Sequence, residues 1–85
     1  MIYLRPEVQW FAAEMEKRLQ ANDHKGGWSS EFNDYLLERL HEEVIELTTA
    51  LQSRRSRRLR HVIHEATDIA NFALMIADNA RVEGA

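Results

Sequence analysis

Five acidic residues in two short segments carry the chemistry open to this chain. Glu42, Glu43 and Glu46 form E-E-x-x-E, and Glu65 and Asp68 form E-x-x-D after an interval of eighteen residues, 47 to 64. Both segments lie in stretches with helical periodicity, and residues three apart share one face of a helix. Glu43 therefore points with Glu46, and Glu65 with Asp68. If two such helices pack antiparallel, four carboxylates converge on one small volume. Like charges held together repel and raise one another's pKa, a penalty that a bound cation removes. An all-oxygen set suits a hard ion such as Mg²⁺ or Mn²⁺ better than zinc. Glu42 belongs to the same motif, but its angular position gives it a supporting role.

Three helices must position these groups. The first starts at Pro6, a residue suited to the first helical position, with Glu7 beside the helix N-terminus. It carries an apolar stripe of Val8, Phe11, Ala12, Met15 and Leu19 and ends near Asn22 or Asp23. Trp10 lies off the stripe. The loop 24 to 30 reads His-Lys-Gly-Gly-Trp-Ser-Ser. Its Lys25 is a candidate phosphate contact and its Trp28 a candidate platform for a nucleobase; the plainer reading is a turn whose tryptophan plugs the end of the core. Ser29 or Ser30 is the expected cap of the second helix, which runs to about Gln52. Its stripe is Phe32, Leu36, Leu40, Val44, Leu47 and Leu51.

Residues 54 to 60 contain five arginines. They read as an exposed connector or, alternatively, as a triphosphate-capturing loop. The third helix spans about Leu59 to Arg81. Its segment 69 to 77 is apolar on nearly every side, interrupted by Asn71. A helix apolar all round must be buried all round, which three helices of this length do not achieve in one chain. The expectation is an all-α fold: a three-helix subunit, with an antiparallel hairpin presenting the acidic faces, assembling into a helical-bundle homodimer through helix 3. Asn71 follows Asp68 by three and extends the acidic face.

Together the double acidic motif, Phe11 to Glu16, the Asn22 to Trp28 loop and Asp68 to Asn79 resemble the MazG-like branch of the all-α nucleoside triphosphate pyrophosphohydrolases. The resemblance covers roughly residues 8 to 80 and implies one such domain over residues 1–85. It implies an enzyme: Mg²⁺-dependent (or Mn²⁺-dependent) hydrolysis of a ribo- or deoxynucleoside triphosphate to monophosphate and pyrophosphate, in nucleotide-pool housekeeping. By the matching positions, Glu43, Glu46, Glu65 and Asp68 are the metal ligands, with Glu42 orienting them or activating water. Lys25 takes a phosphate, and Trp28 and Asn71 take the nucleoside. Several relatives carry a fourth helix that this sequence does not show, so a wall of the site would come from a partner subunit.

Composition narrows the alternatives. Eighty-five residues make one domain, and the absence of cysteine excludes disulfides and thiolate metal sites. The net charge of −3 argues against general nucleic-acid affinity. No apolar run is long enough to span a bilayer, and Met1 to Pro6 does not read as a signal peptide, so a cytoplasmic protein is expected. A ferritin-like di-iron site needs two Glu-x-x-His pairs, and only Glu38 to His41 supplies one. The rival without catalysis is a helical oligomerisation or regulatory module whose acids serve solubility.

Overall fold

The computed structural model describes residues 2–52 and 58–84. Three α-helices follow in order: α1 (Pro6–Ala21), α2 (Asn33–Gln52) and α3 (Arg58–Val82), with a short 3-10 turn at Asp23–Lys25. No strand occurs among the described residues. The serine- and arginine-rich run at 53–57, read above as a connector, lies outside the described residues.

Local chemistry accounts for the helix ends. Pro6 opens α1 where a missing N–H costs nothing, Glu7 complements the positive end of the helix dipole, and Arg18 lies in the last turn. The Asn22 amide turns back to the Arg18 carbonyl (2.9 Å) and closes the helix. Gly26 then takes φ 88°, in the left-handed region that favours glycine, and redirects the chain after the 3-10 turn. Helix α2 does not start at Ser29 or Ser30. The Glu31 N–H donates to the Trp28 carbonyl (3.0 Å), which makes a separate turn there, and the first helical bond runs from Leu36 N–H to the Phe32 carbonyl (3.1 Å).

Asn79 of α3 holds that turn. Its side chain is buried, and Nδ2 faces the carbonyls of Trp28 (3.5 Å) and Glu31 (3.4 Å) and the Asn33 Oδ1 (3.2 Å). Trp28 Nε1 donates to Asp78 one residue earlier (3.1 Å). Replacing Asn79 by leucine strips three part-buried acceptors of their donor. Denaturant unfolding should register a loss of about 1–3 kcal/mol, the desolvation cost of groups left unpaired.

The interior is thin. Helix α3 packs against both α2 and α1, but α1 contributes no buried residue. Leu36 and Ala50 are the buried apolar side chains among the described residues, and the deepest positions of α3 are polar: Thr67, Asn71 and Asn79. Thr67 satisfies itself by donating to the Ile63 carbonyl one turn back (2.6 Å). The expected stripes therefore do not become a core within one chain. Phe32 is 83% exposed and lies ahead of α2, and Leu37, Val44 and Leu51 form an exposed line one position beyond Leu36, Glu43 and Ala50.

Candidate functional site

Where α2 and α3 meet, the two acidic segments come together. Glu43 and Glu46 from α2 and Glu65 from α3 each offer a carboxylate oxygen, all within 4.8 Å of one another. They open onto a cavity of about 520 Å³ that Arg18, Lys25, Arg39, Asp68 and Asn71 also line. Tyr35, Phe72 and Met75 give it an apolar side.

Two features set this cluster apart from acids on a solvated helix face. Glu43 is buried, and its Oε2 and the Glu65 Oε2 have no hydrogen-bond partner. Buried polar atoms are nearly always paired, because each unpaired one costs desolvation without return. The second feature is a raised carboxyl. Burial first, then the hydrogen bonds that Glu65 and Glu46 offer its protonated form, and last the charges of Glu46 and Asp68, push the Glu43 carboxyl up to about 8. Burial likewise raises Glu65.

The fourth expected ligand is engaged elsewhere. Asp68 lines the cavity, but Arg18 of α1 holds both its oxygens, Nε to Oδ1 and Nη2 to Oδ2, each at 3.0 Å. Arg39 balances the other end: it pairs with Glu42, approaches Glu43 Oε1 at 3.5 Å, and lies 5.3 Å from the centre of the Phe72 ring. Glu42 is thus on the exposed side of α2 with Arg39 as partner.

Asn71 is 5% exposed and donates Nδ2 to the Met15 carbonyl of α1 (3.1 Å). That bond fixes the amide's orientation and leaves Oδ1 as an unpartnered acceptor. Lys25 lines the cavity beside Gly26. Trp28 does not line it; its indole is turned to Asp78. Asp78 and Asn79 serve the turn rather than this cavity.

Sequence reading assigned no site role to Arg18, Arg39, Tyr35, Phe72 or Met75. Arg39 and Phe72 had a signal available, since Arg39 precedes Glu43 by four and Phe72 follows Asp68 by four, the spacing of neighbours on a helix. Arg18 had none, because its partner is fifty residues away.

The cluster contains no histidine, although His61 Nε2 stands 3.7 Å from Glu65 Oε1 at its edge. An all-carboxylate set with orphaned buried oxygens fits a hard divalent cation. No protein-family model, curated protein or solved structure matches this chain. No helix among the described residues is long and apolar enough to cross a membrane.

Proposed function

We propose that the cavity between α2 and α3 is a divalent-cation site that serves the hydrolysis of a nucleoside triphosphate to monophosphate and pyrophosphate, in the manner of the MazG-like proteins that the sequence resembles. One observation carries the reading. Two helices bring three carboxylates together, two of them with unpartnered buried oxygens, on the wall of a cavity that Asp68 and the cationic Arg18, Arg39 and Lys25 also line. An anionic ligand with several phosphates needs that combination of a cation site and guanidinium and ammonium donors.

Glu43, Glu46 and Glu65 would hold Mg²⁺ or Mn²⁺, with Asp68 joining them once free of Arg18. When bound, such a cation neutralises phosphate oxygens and lowers the pKa of a coordinated water. Lys25 and Arg39 orient the phosphates from the cavity rim. Tyr35, Phe72 and Met75 supply an apolar surface for the base, and Asn71 Oδ1 accepts a hydrogen bond from a nucleoside N–H or O–H. Glu42 steadies Arg39 and through it the approach to Glu43.

The reading includes assembly. In α2 and α3, Asn33 meets Asn79 while Glu43 and Glu46 meet Glu65, as an antiparallel hairpin requires. The accessible surface is 6968 Å², whereas a folded monomer of this mass exposes roughly 5,200 Å². The excess, with the line Leu37, Val44 and Leu51, supports a homodimer that covers this face of α2 beside the α3 interface expected above.

The test is incubation with Mg²⁺ and a panel of ribo- and deoxynucleoside triphosphates, following pyrophosphate. Release of pyrophosphate with the matching monophosphate is the expected result. Orthophosphate as the product would put the cleavage at the wrong bond. Silence across the panel from folded, dimeric protein, without thermal stabilisation by Mg²⁺ or Mn²⁺, would favour an oligomerisation module.

A further inference from the structure

The contact between Arg18 and Asp68 is unusual in its setting. It is a two-bond fork between α1 and α3, both bonds 3.0 Å, at the wall of the cavity that the acidic cluster also lines. Asp68 follows Glu65 by three on α3, so its carboxylate faces the same space, yet it is the acid there whose two oxygens are both taken up by an arginine. Glu43 and Glu65 each keep an orphaned oxygen. The two-bond fork has thus gone to one acid, while Glu43 has a single long contact to Arg39 (3.5 Å) and Glu65 one to His61 (3.7 Å), each through Oε1. Arg18 is also the more open partner of the pair. Its side chain is 37% exposed, against 20% for Asp68, and it springs from a helix with no buried residue.

We infer that Arg18 is an exchangeable counter-ion: it holds Asp68 while the cavity is empty of cation, is released when a divalent cation takes Asp68 together with Glu43, Glu46 and Glu65, and then turns its guanidinium fork to the anionic ligand that follows. The inference rests on the cation site proposed above. Four carboxylates and three cationic side chains line the cavity. A dication entering beside Asp68 meets the Arg18 guanidinium at close range, and like charges at such a distance repel strongly in a partly dry site. A polyphosphate presents the ligand geometry that a released guanidinium fits best, two parallel N–H···O bonds. Arg18 would therefore oppose loading of the free cation and favour binding of the cation together with its ligand.

Opposite effects on two ligands test this. Arg18→Lys keeps the charge but loses the fork, so any general change in potential is small. Mn²⁺ alone, titrated and read by the electron paramagnetic resonance of free ion, should bind Arg18→Lys about tenfold tighter than wild type, the scale of one charge-assisted contact. Inorganic tripolyphosphate in the presence of saturating Mg²⁺ should bind the same variant more weakly by a similar factor. A variant that has only lost packing would weaken on both. The wild-type protein supplies the second readout. The Arg18 Nε–H signal in nitrogen-15 spectra, assigned in the wild-type protein through its own side-chain and backbone connectivities, should exchange slowly with water while paired to Asp68 and rapidly after Mg²⁺ addition.

If wild type binds Mn²⁺ and Arg18→Lys binds it no tighter, the exchange is wrong and the cation site stands. Should Mg²⁺ bind without changing the Arg18 Nε–H, the pair persists and the exchange is again wrong, even if the variant fails to fold. Absence of Mn²⁺ binding in both proteins removes the exchange and the cation site together. Binding in the variant alone supports the exchange in its strongest form.

Discussion

Glu43→Gln should abolish pyrophosphate release and yet raise the melting temperature of the ion-free protein. The two effects share one origin. At neutral pH the Glu43 carboxyl, pushed up to about 8 by burial and by the acids beside it, is held away from its preferred ionised state. Glutamine has almost the same shape and no charge. Its amide can donate to the Glu65 carboxylate, the group whose Oε2 now lacks a partner. Folding then no longer opposes the ionisation that residue 43 would undergo in the unfolded chain. A gain of about 1 kcal/mol corresponds to a rise of about 4–8 °C in a domain of this size. The same change removes a central cation ligand. Disturbing residues that merely orient ligands already costs about 10–100-fold, so loss of a ligand should exceed about 100-fold in kcat/KM. Calorimetry without divalent ions and the pyrophosphate assay together decide the matter. A lower melting temperature would mean that Glu43 is stabilising as it stands, and retained activity would remove it from the site.

The acidic cluster was legible because helix geometry alone joins Glu43 to Glu46 and because the apolar residues beside them indicate which face turns inward. The ends of α1 were largely legible too: Pro6 stands where local signals put it, and the helix closes at Ala21, one residue before the expected Asn22 or Asp23. The cap of α2 was not, since Ser29 and Ser30 look like caps by residue type. The Trp28–Glu31 turn takes those residues instead, and Asn79, from the far end of the chain, holds it. The apolar stripes gave helix positions but overstated burial: Val44 and Leu51 lie on them and remain 41% and 55% exposed. Periodicity reports which face is apolar and not what covers it. Arg18 shows the limit most clearly. It is one of several polar residues around α1, and only the packing of α1 on α3 brings it to Asp68.

Between pH 5 and pH 8 the ion-free protein should lose stability, by at least about 1.4 kcal/mol more than Glu43→Gln loses over the same interval, the free energy of one pKa unit. The direction follows from proton counting. Near pH 4 an unfolded glutamate begins to release its proton, whereas Glu43 in the folded state keeps it until about 8. Across that window the native state binds more protons than the unfolded one, so raising the pH favours unfolding. The Glu43 contribution is fully present below the ordinary carboxylate pKa and is gone once pH passes the folded value. Glu65, raised by burial, acts in the same direction, while Arg18 and Arg39 stay protonated throughout and do not change the slope. Subtracting the Glu43→Gln profile removes the contribution of histidines common to both proteins. Saturating Mg²⁺ should invert the wild-type trend, because a carboxylate must be deprotonated to ligate and the bound native state then gains with rising pH. A cluster of acids with no affinity for cations would keep its downward slope in Mg²⁺. Urea titrations at three pH values, with and without the ion, separate the two. The inversion depends on the same orphaned oxygens of Glu43 and Glu65 that make the ion-free protein weakest where its ligands are ready to bind.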